Sequence, residues 1–347
     1  MKPLKVLYAV QGTGNGHVAR AQALLPLLTA EPNTTVDVLI SGTFVDVSLP
    51  IPPLYNYQGI SFRYGKTGGI NWFKTATQNN WWALLRDILR VPVVQYDLVI
   101  NDFEPVSAYA CKIRRVRIVD VSHQAGVRHP KAARPSWKDP VAEWVMAHFA
   151  PAPRCLGFHF QSFGTNYRTP VIRPAIRDLK QAIDGSVLVY LPAFSPDVLE
   201  PVFLALPERT WHVFLRASLV HPPSSKNVIW HTIDQAAFLD RLGRCSHVLC
   251  SAGFELPAEA LFLGRQVAVI PIVGQYEQAC NAQEAARLGV CVLKGLHRSE
   301  DLDPLRHWLQ AEPLASVDFP DETEKVVRRL LSDFRDNPEL PGYVRAK

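Results

Sequence analysis

Long apolar runs are absent from this sequence. No stretch reaches the roughly 18 residues that a membrane-spanning helix requires, and the N-terminal VLYAV is too short and too soon interrupted for a signal peptide. We therefore expect a cytoplasmic protein. Cysteine is sparse, with six residues (111, 155, 245, 250, 280 and 291) and neither a CxxC pair nor metal-finger spacing, so reduced thiols and no structural zinc are expected. Short-period repeats and low-complexity tracts are missing as well. No Gly-Lys-Ser/Thr follows a glycine-rich loop, which removes a Walker A nucleotide site.

What is present is the composition of a globular chain, with 48% hydrophobic and 20% charged residues among 347. That length suits two domains of about 150 residues better than one core. The net charge of +5 hides an asymmetry: residues 1–177 hold 20 Lys+Arg against 10 Asp+Glu, and residues 178–347 hold 17 against 22. The basic half is open to several readings: a solvated face, a phosphorylated ligand, an anionic membrane surface or nucleic acid.

Val/Ile/Leu-rich runs alternate with helical patterns. Strands are expected at 5–10, 36–41, 97–102, 117–122, 187–192, 212–217, 227–231, 247–253 and 266–272, and helices at VARAQALLPLLTA and QAAFLDRLGRC. Near-continuous apolar strands joined through helices indicate parallel sheets covered on both faces. The fold class expected is α/β, with two doubly wound Rossmann-like domains facing a central cleft. The pattern restarts after TPVIRPAIRDLKQAIDG, which places the boundary at 177–185 and gives domains 1–177 and 178–335 with a loosely held tail at 336–347.

Ligands of open parallel sheets bind beyond the C-terminal strand ends. The first strand exits into QGTGNGHVAR. A dinucleotide loop needs GxGxxG, but Gly12, Gly14 and then His17 fill those positions, and LISGTF at the second strand's end lacks a ribose-binding acid; both departures disfavour NAD. What remains is a loop of Gly12, Gly14, Asn15 and Gly16 that admits an anion or sugar and ends in a titratable group suited to general base work. In the second half, SAGFELPAEALFLGRQVAVIPIVGQYEQACNA reads as strand exit, tight turn, helix, strand and polar loop. That helix N-terminus can hold a diphosphate without a metal. Glu259 could accept both ribose hydroxyls, with Glu255 on the same face as a substitute, and Gln275, Glu277 and Gln278 form a cluster suited to sugar hydroxyls. A helix cap and a polar surface loop would show the same spacing.

Together the two blocks resemble the two-Rossmann-domain (GT-B) glycosyltransferases, among them the UDP-N-acetylglucosamine transferase that forms lipid II and bacterial and archaeal glycosyltransferase-like proteins carrying GxGxGH and GQxEQxxNA. INDFEP (100–105) and SHQAG (122–126) add to the likeness. The resemblance implies a nucleotide-sugar donor, UDP-linked, on the C-terminal domain and an acceptor on the N-terminal one. Ser251, Ala252 and Gly253 would line the diphosphate, Glu259 the ribose, and Glu277 and Gln278 the donor sugar. On the acceptor side it implies the loop Gly12 to His17, with His17 as base, together with Asp102, Glu104, His123 and Gln124; Asp102 is an alternative base or the group that orients His17. LPAFSP replaces a glycine-rich loop of the lipid II enzyme, which leaves Ser195 without a matching role.

The implied chemistry is a metal-independent, inverting displacement with no bound cofactor. Two other functions fit the same blocks: a nucleotide-sugar epimerase or hydrolase, and a non-catalytic carbohydrate- or nucleic-acid-binding protein. Residues 68–92 gather Trp72, Phe73, Trp81, Trp82, Leu84 and Leu85 among Lys74, Arg86 and Arg90. They read as a lid over a lipid-linked acceptor, as a peripheral contact with the inner membrane face, or as aromatics packing a helix onto the domain. RHPKAARPSWK (128–138) adds positive charge that is either solvated or directed at phosphate.

Overall fold

A computed structural model describes residues 3–42, 48–61, 75, 77–216, 219–296, 302–312 and 314–336. Trp72, Phe73, Lys74 and residues 337–347 of the expected tail lie outside the described residues.

Two wholly parallel sheets form the framework. The first has the order β3-β2-β1-β4-β5-β6-β7, built from β1 (Leu4–Gln11), β2 (Thr34–Ser41), β3 (Tyr55–Tyr57), β4 (Leu98–Asp102), β5 (Ile118–Ser122), β6 (Cys155–Phe158) and β7 (Tyr167–Arg168). The second has the order β10-β9-β8-β11-β12-β13, built from β8 (Val187–Tyr190), β9 (Trp211–Leu215), β10 (Val228–Thr232), β11 (His247–Ser251), β12 (Gln266–Ile270) and β13 (Cys291–Val292). In each sheet the order reverses direction beside the first strand, which opens a crevice at the C-terminal edge. β1 is buried from Val6 to Gln11 because helices cover both faces of the sheet, so its apolar run does not alternate.

The strand ends are polar where the crevices open: Gln11, Ser41, Asp102, Ser122 and Ser251 each terminate a strand. Register aligns Val10 with Asp102, so Asp102 stands level with the exit of β1. Helix α1 (Asn15–Ala30) begins there, with Gly14 as an extended N-cap that offers no side-chain bond. Beyond β4, Phe103 takes the left-handed conformation at φ 54, uncommon for a bulky residue. This sharp turn lets the buried Glu104 carboxylate cap α3 (Pro105–Arg114) through the amides of Val106 and Ser107, both at 2.7 Å.

The sheets part between Arg168 and Val187, yet the chain returns. The terminal helix α12 (Thr323–Asp336) lies against α1, with Val327, Leu331 and Phe334 in the same apolar cluster as Leu24, Leu25 and Leu28. Arg328 meets Glu31 at 3.2 Å, and Arg335 donates to the Pro32 carbonyl at 2.6 Å. The sequence-based boundary groups this helix with the second sheet; its apolar stripe finds its partner on the first.

In α2 (Trp81–Arg90), Ala83, Asp87 and Ile88 are buried, while Trp81, Trp82, Leu85 and Leu89 are exposed, Trp82 to 82%. No helix among the described residues is long and apolar enough to cross a membrane.

A close approach joins α4 (His123–Val127) to β6: an added Cβ at Gly126 would run into the Phe158 carbonyl, and one at Gly157 would lie 2.7 Å from the Gly126 nitrogen. Gly126→Ala is expected to cost about 3 kcal/mol, seen as a lower urea midpoint. Gly14→Ala meets nothing within 4 Å and should leave that midpoint in place.

Candidate active site

The C-terminal edges of the two sheets face one another across a cavity of about 280 Å³. One wall comes from the β1 exit and α1, the other from the β11 exit, α9 (Glu255–Phe262) and the loop entering α10 (Tyr276–Ala286).

His17 lines the cavity, and Asp102 stands behind it, fully buried, with Oδ1 2.7 Å from His17 Nδ1. Asp102 does not itself reach the cavity. Its place behind the ring is that of a group bonded to His17 rather than one facing the cavity. Burial favours the carboxylic acid, but Arg20 and then His17 outweigh it, and the Asp102 pKa is lowered. An ionised Asp102 accepts a hydrogen bond from Nδ1–H, which leaves Nε2 as the proton acceptor of the ring. For His17 burial opposes the charged form, yet the charge of Asp102 and its hydrogen bond raise the pKa above 6.5. The ring of Phe103 stacks parallel to His17 at 6.3 Å.

Arg20, absent from the sequence-based candidates, organises this corner. It follows His17 by three positions on α1, so both side chains share a helix face. Its Nε and Nη2 donate to the two oxygens of Asp102 at 2.9 and 2.8 Å, and its Nη1 crosses to Glu255 Oε1 at 2.5 Å. Glu255, expected on the donor side, thus also contacts the acceptor loop. An added Cβ at Gly16 would lie 2.6 Å from Glu255 Oε2.

On the opposite wall Ser251 and Gly253 line the cavity, and Ser251 Oγ is a buried polar atom with no partner among the described residues. Gln275 Oε1 and Gln124 Oε1, on the same lining, share that condition. Ala252 departs from expectation: it is buried off the cavity, and its carbonyl accepts from Asn281 at 3.2 Å. Glu277 lines the cavity and accepts from Gln124 Nε2 at 3.1 and 3.2 Å. Burial raises its pKa, with His17 and Gln124 pulling the other way. Gln278 also lines the cavity, but its Oε1 holds the β12 exit loop by accepting from the Ile272 amide at 3.0 Å.

Glu259 lines the cavity beneath Arg173, which donates to both of its oxygens at 2.6 and 2.8 Å. Arg173 sits in the segment that reads from sequence only as a linker. Glu104, expected among acceptor ligands, is correctly described as a helix cap: it is wholly buried, accepts from Ser41 Oγ at 2.6 Å and does not line the cavity. Gly12 is likewise set back, against Ile40. His123 reaches the lining with both nitrogens engaged, by the Phe158 carbonyl at 2.9 Å and Asn281 at 2.8 Å, while its ring stacks on Phe254 at 3.7 Å. Burial pushes its pKa down to about 3, and the neutral ring has one N–H to donate to these two oxygens. Neither the described residues of 68–92 nor the 128–138 loop borders the cavity. No cluster with metal-ligating composition occurs among the described residues.

The family model "Glycosyl transferase family 1" matches residues 4–313. Among solved structures, the glycosyltransferase SnogD from Streptomyces nogalater superposes with a TM-score of 0.52 at 12% identity, covering 95% of this chain and 99% of that one. MnaA from S. aureus, in a co-structure with UDP, gives 0.61 at 12% identity over 97% of each chain, and a UDP-N-acetylglucosamine 2-epimerase gives 0.57 at 15% over 97% of each. At these identities the superpositions speak to fold alone. No curated protein matches the chain. With nearly its whole length matched by the family model and both sheets arranged as in these structures, the chain belongs to glycosyl transferase family 1 and is a glycosyltransferase of the GT-B fold.

Proposed function

We propose that this enzyme moves a sugar from a uridine diphosphate donor to an acceptor hydroxyl by one inverting displacement that uses no metal. The carrying observation is a histidine backed by a buried aspartate, facing a wall of unpartnered polar atoms across one cavity. His17 Nε2 takes the acceptor hydroxyl proton as that oxygen attacks the anomeric carbon from the N-terminal wall. The anomeric C–O bond breaks, and its electron pair leaves on the β-phosphate oxygen. The amides opening α9, Ser251 and Arg216 stabilise that charge. Gln275 and Glu277 hold the sugar. The uridine assignment draws support from UDP in the S. aureus MnaA co-structure. The exposed Trp81, Trp82, Leu85 and Leu89, with Arg86 and Arg90 on the same helix, support a peripheral membrane contact and a lipid-linked acceptor.

Glu259 is a poor first probe of the donor site. Its removal leaves the largely buried Arg173 unpaired, and Glu259→Ala is expected to lose about 3–5 kcal/mol of stability before any ligand is considered. Ser251→Ala deletes an atom with no partner among the described residues, so the melting temperature without ligand should hold. UDP at a hundred times its Kd should stabilise the parent by about 2.7 kcal/mol in a thermal shift, and this variant clearly less. An equal gain in both proteins removes Ser251 from the donor site.

A base with a raised pKa sets the direction of the pH dependence. kcat/KM should climb with pH through a His17 midpoint above 6.5. Asp102→Asn removes the charge that holds the midpoint up, so the acidic limb should move to lower pH while kcat falls about a thousandfold. UDP release measured from pH 5 to 9 reads both. Linkage runs the same way for folding: the stability gained from protonated His17 is complete below its unfolded pKa of about 6.5 and is lost as pH rises through the folded value. Donor incubated without acceptor should stay unchanged; an isomerised sugar would mark an epimerase instead.

A further inference from the structure

The geometry points to Arg20 as a positioning residue that ties the His17–Asp102 pair to the second domain, with Glu255 completing the arrangement where the domains meet. The inference rests on His17 as the base.

Arg20 is 2% exposed and spends three nitrogens on two carboxylates. Its contact with Asp102 is bidentate, which fixes the plane of the carboxylate that faces His17 Nδ1. Lysine would carry the charge into this site without the fork. The third contact leaves the first domain: Glu255 opens α9 of the second, and its carboxylate reaches Arg20 through space that Gly16 leaves open. The guanidinium lies over the Phe158 ring at 5.7 Å, which adds a cation–π contact inside the first domain.

The charges around His17 come from every side. Asp102 approaches from β4, Arg20 from its own helix, Glu255 from α9 and Glu277 from α10, with the neutral His123 on α4. Beside burial, the charge of Arg20 disfavours an imidazolium, and Glu255 acts against Arg20. Separating α9 from α1 would take that offset away. The base is then strongest when the donor-side helix is docked on the acceptor loop, so a hydroxyl is activated with both substrates' walls in place.

The test reads the ring titration of His17 by NMR in the substrate-free full chain, assigned with His17→Gln, beside initial rates of sugar transfer across pH. In Glu255→Gln, which keeps the shape of the side chain, the His17 midpoint should fall by about half a pH unit or more, and the acidic limb of kcat/KM should move with it. UDP affinity should change little. Arg20→Lys should lower kcat about a hundredfold with KM nearly unchanged, because the base is misplaced while substrate contacts remain. A midpoint and limb unmoved in Glu255→Gln overturn the proposal, as does weakened UDP binding with an unmoved midpoint, which would make Glu255 a donor ligand. If the parent transfers no sugar, the reading of function fails, and the ring titration still decides whether Glu255 acts on His17.

Discussion

One buried cation governs the meeting of the two domains. Burying a guanidinium costs several kcal/mol unless carboxylates surround it, and Arg20 has one from each domain, Asp102 and Glu255. The Arg173–Glu259 pair repeats the device further along the same seam. Further polar contacts cross as well, among them Gln124 to Glu277, His123 to Asn281, and Glu284 to the Ala133 amide and Gln161. Polar pairs can trade one another for water when a cleft opens, whereas an apolar seam would have to expose its area at about 25 cal/mol per Å². The seam has both kinds: Val127 and Met146 share an apolar cluster with Tyr276 and Cys280, and Phe160 meets Phe254.

Three glycines in five positions answer to three different neighbours, one of them the Arg20 partner Glu255. Gly12 is pressed against Ile40 and the Ser41 carbonyl, where an added Cβ would come within 3.0 to 3.1 Å. Gly16 makes room for Glu255, so its reason lies in the other domain. Gly14 has no neighbour within 4 Å and lines the cavity, which leaves the space to a ligand. A single motif thus answers to strand packing, domain contact and substrate at successive alternate positions.

Much of this architecture could be read from one sequence because the core strands are fully buried and continuously apolar. Four strands escaped that reading, β3, β6, β7 and β13, each of two to four residues at or next to a sheet edge, where partial burial leaves no run to recognise. His17, Ser251, Gly253 and Glu277 stand where glycine-rich and helix-opening patterns place them, at strand exits. Glu104 and Ala252 share those exits but point into the protein, and nothing in their spacing distinguishes the two directions. Arg20 and Arg173 were missed for another reason: the carboxylates that define them lie 82 to 235 and 86 positions away. Local pattern carries no information on such pairs, although an arginine one helical turn after a candidate base is a signal that could have been followed.

The cleft's charge balance bears on how it treats a diphosphate. Among the described residues at the site, Asp102, Asp234, Glu255, Glu259 and Glu277 outnumber Arg20, Arg173 and Arg216 by two when His17 is neutral. Arg20 and Arg173 are engaged by carboxylates. A positive field is therefore a weak account of the proposed donor capture, in which oriented groups would carry more of it: the amides at the start of α9 and Ser251, whose hydroxyl can turn to donate. The proposed reaction leaves that balance unchanged. In it the departing diphosphate gains negative charge on one wall as His17 gains a proton on the other, where the buried Asp102 would stabilise the resulting imidazolium. Charge moves between the walls, and the total within the cleft stays constant through the transition state.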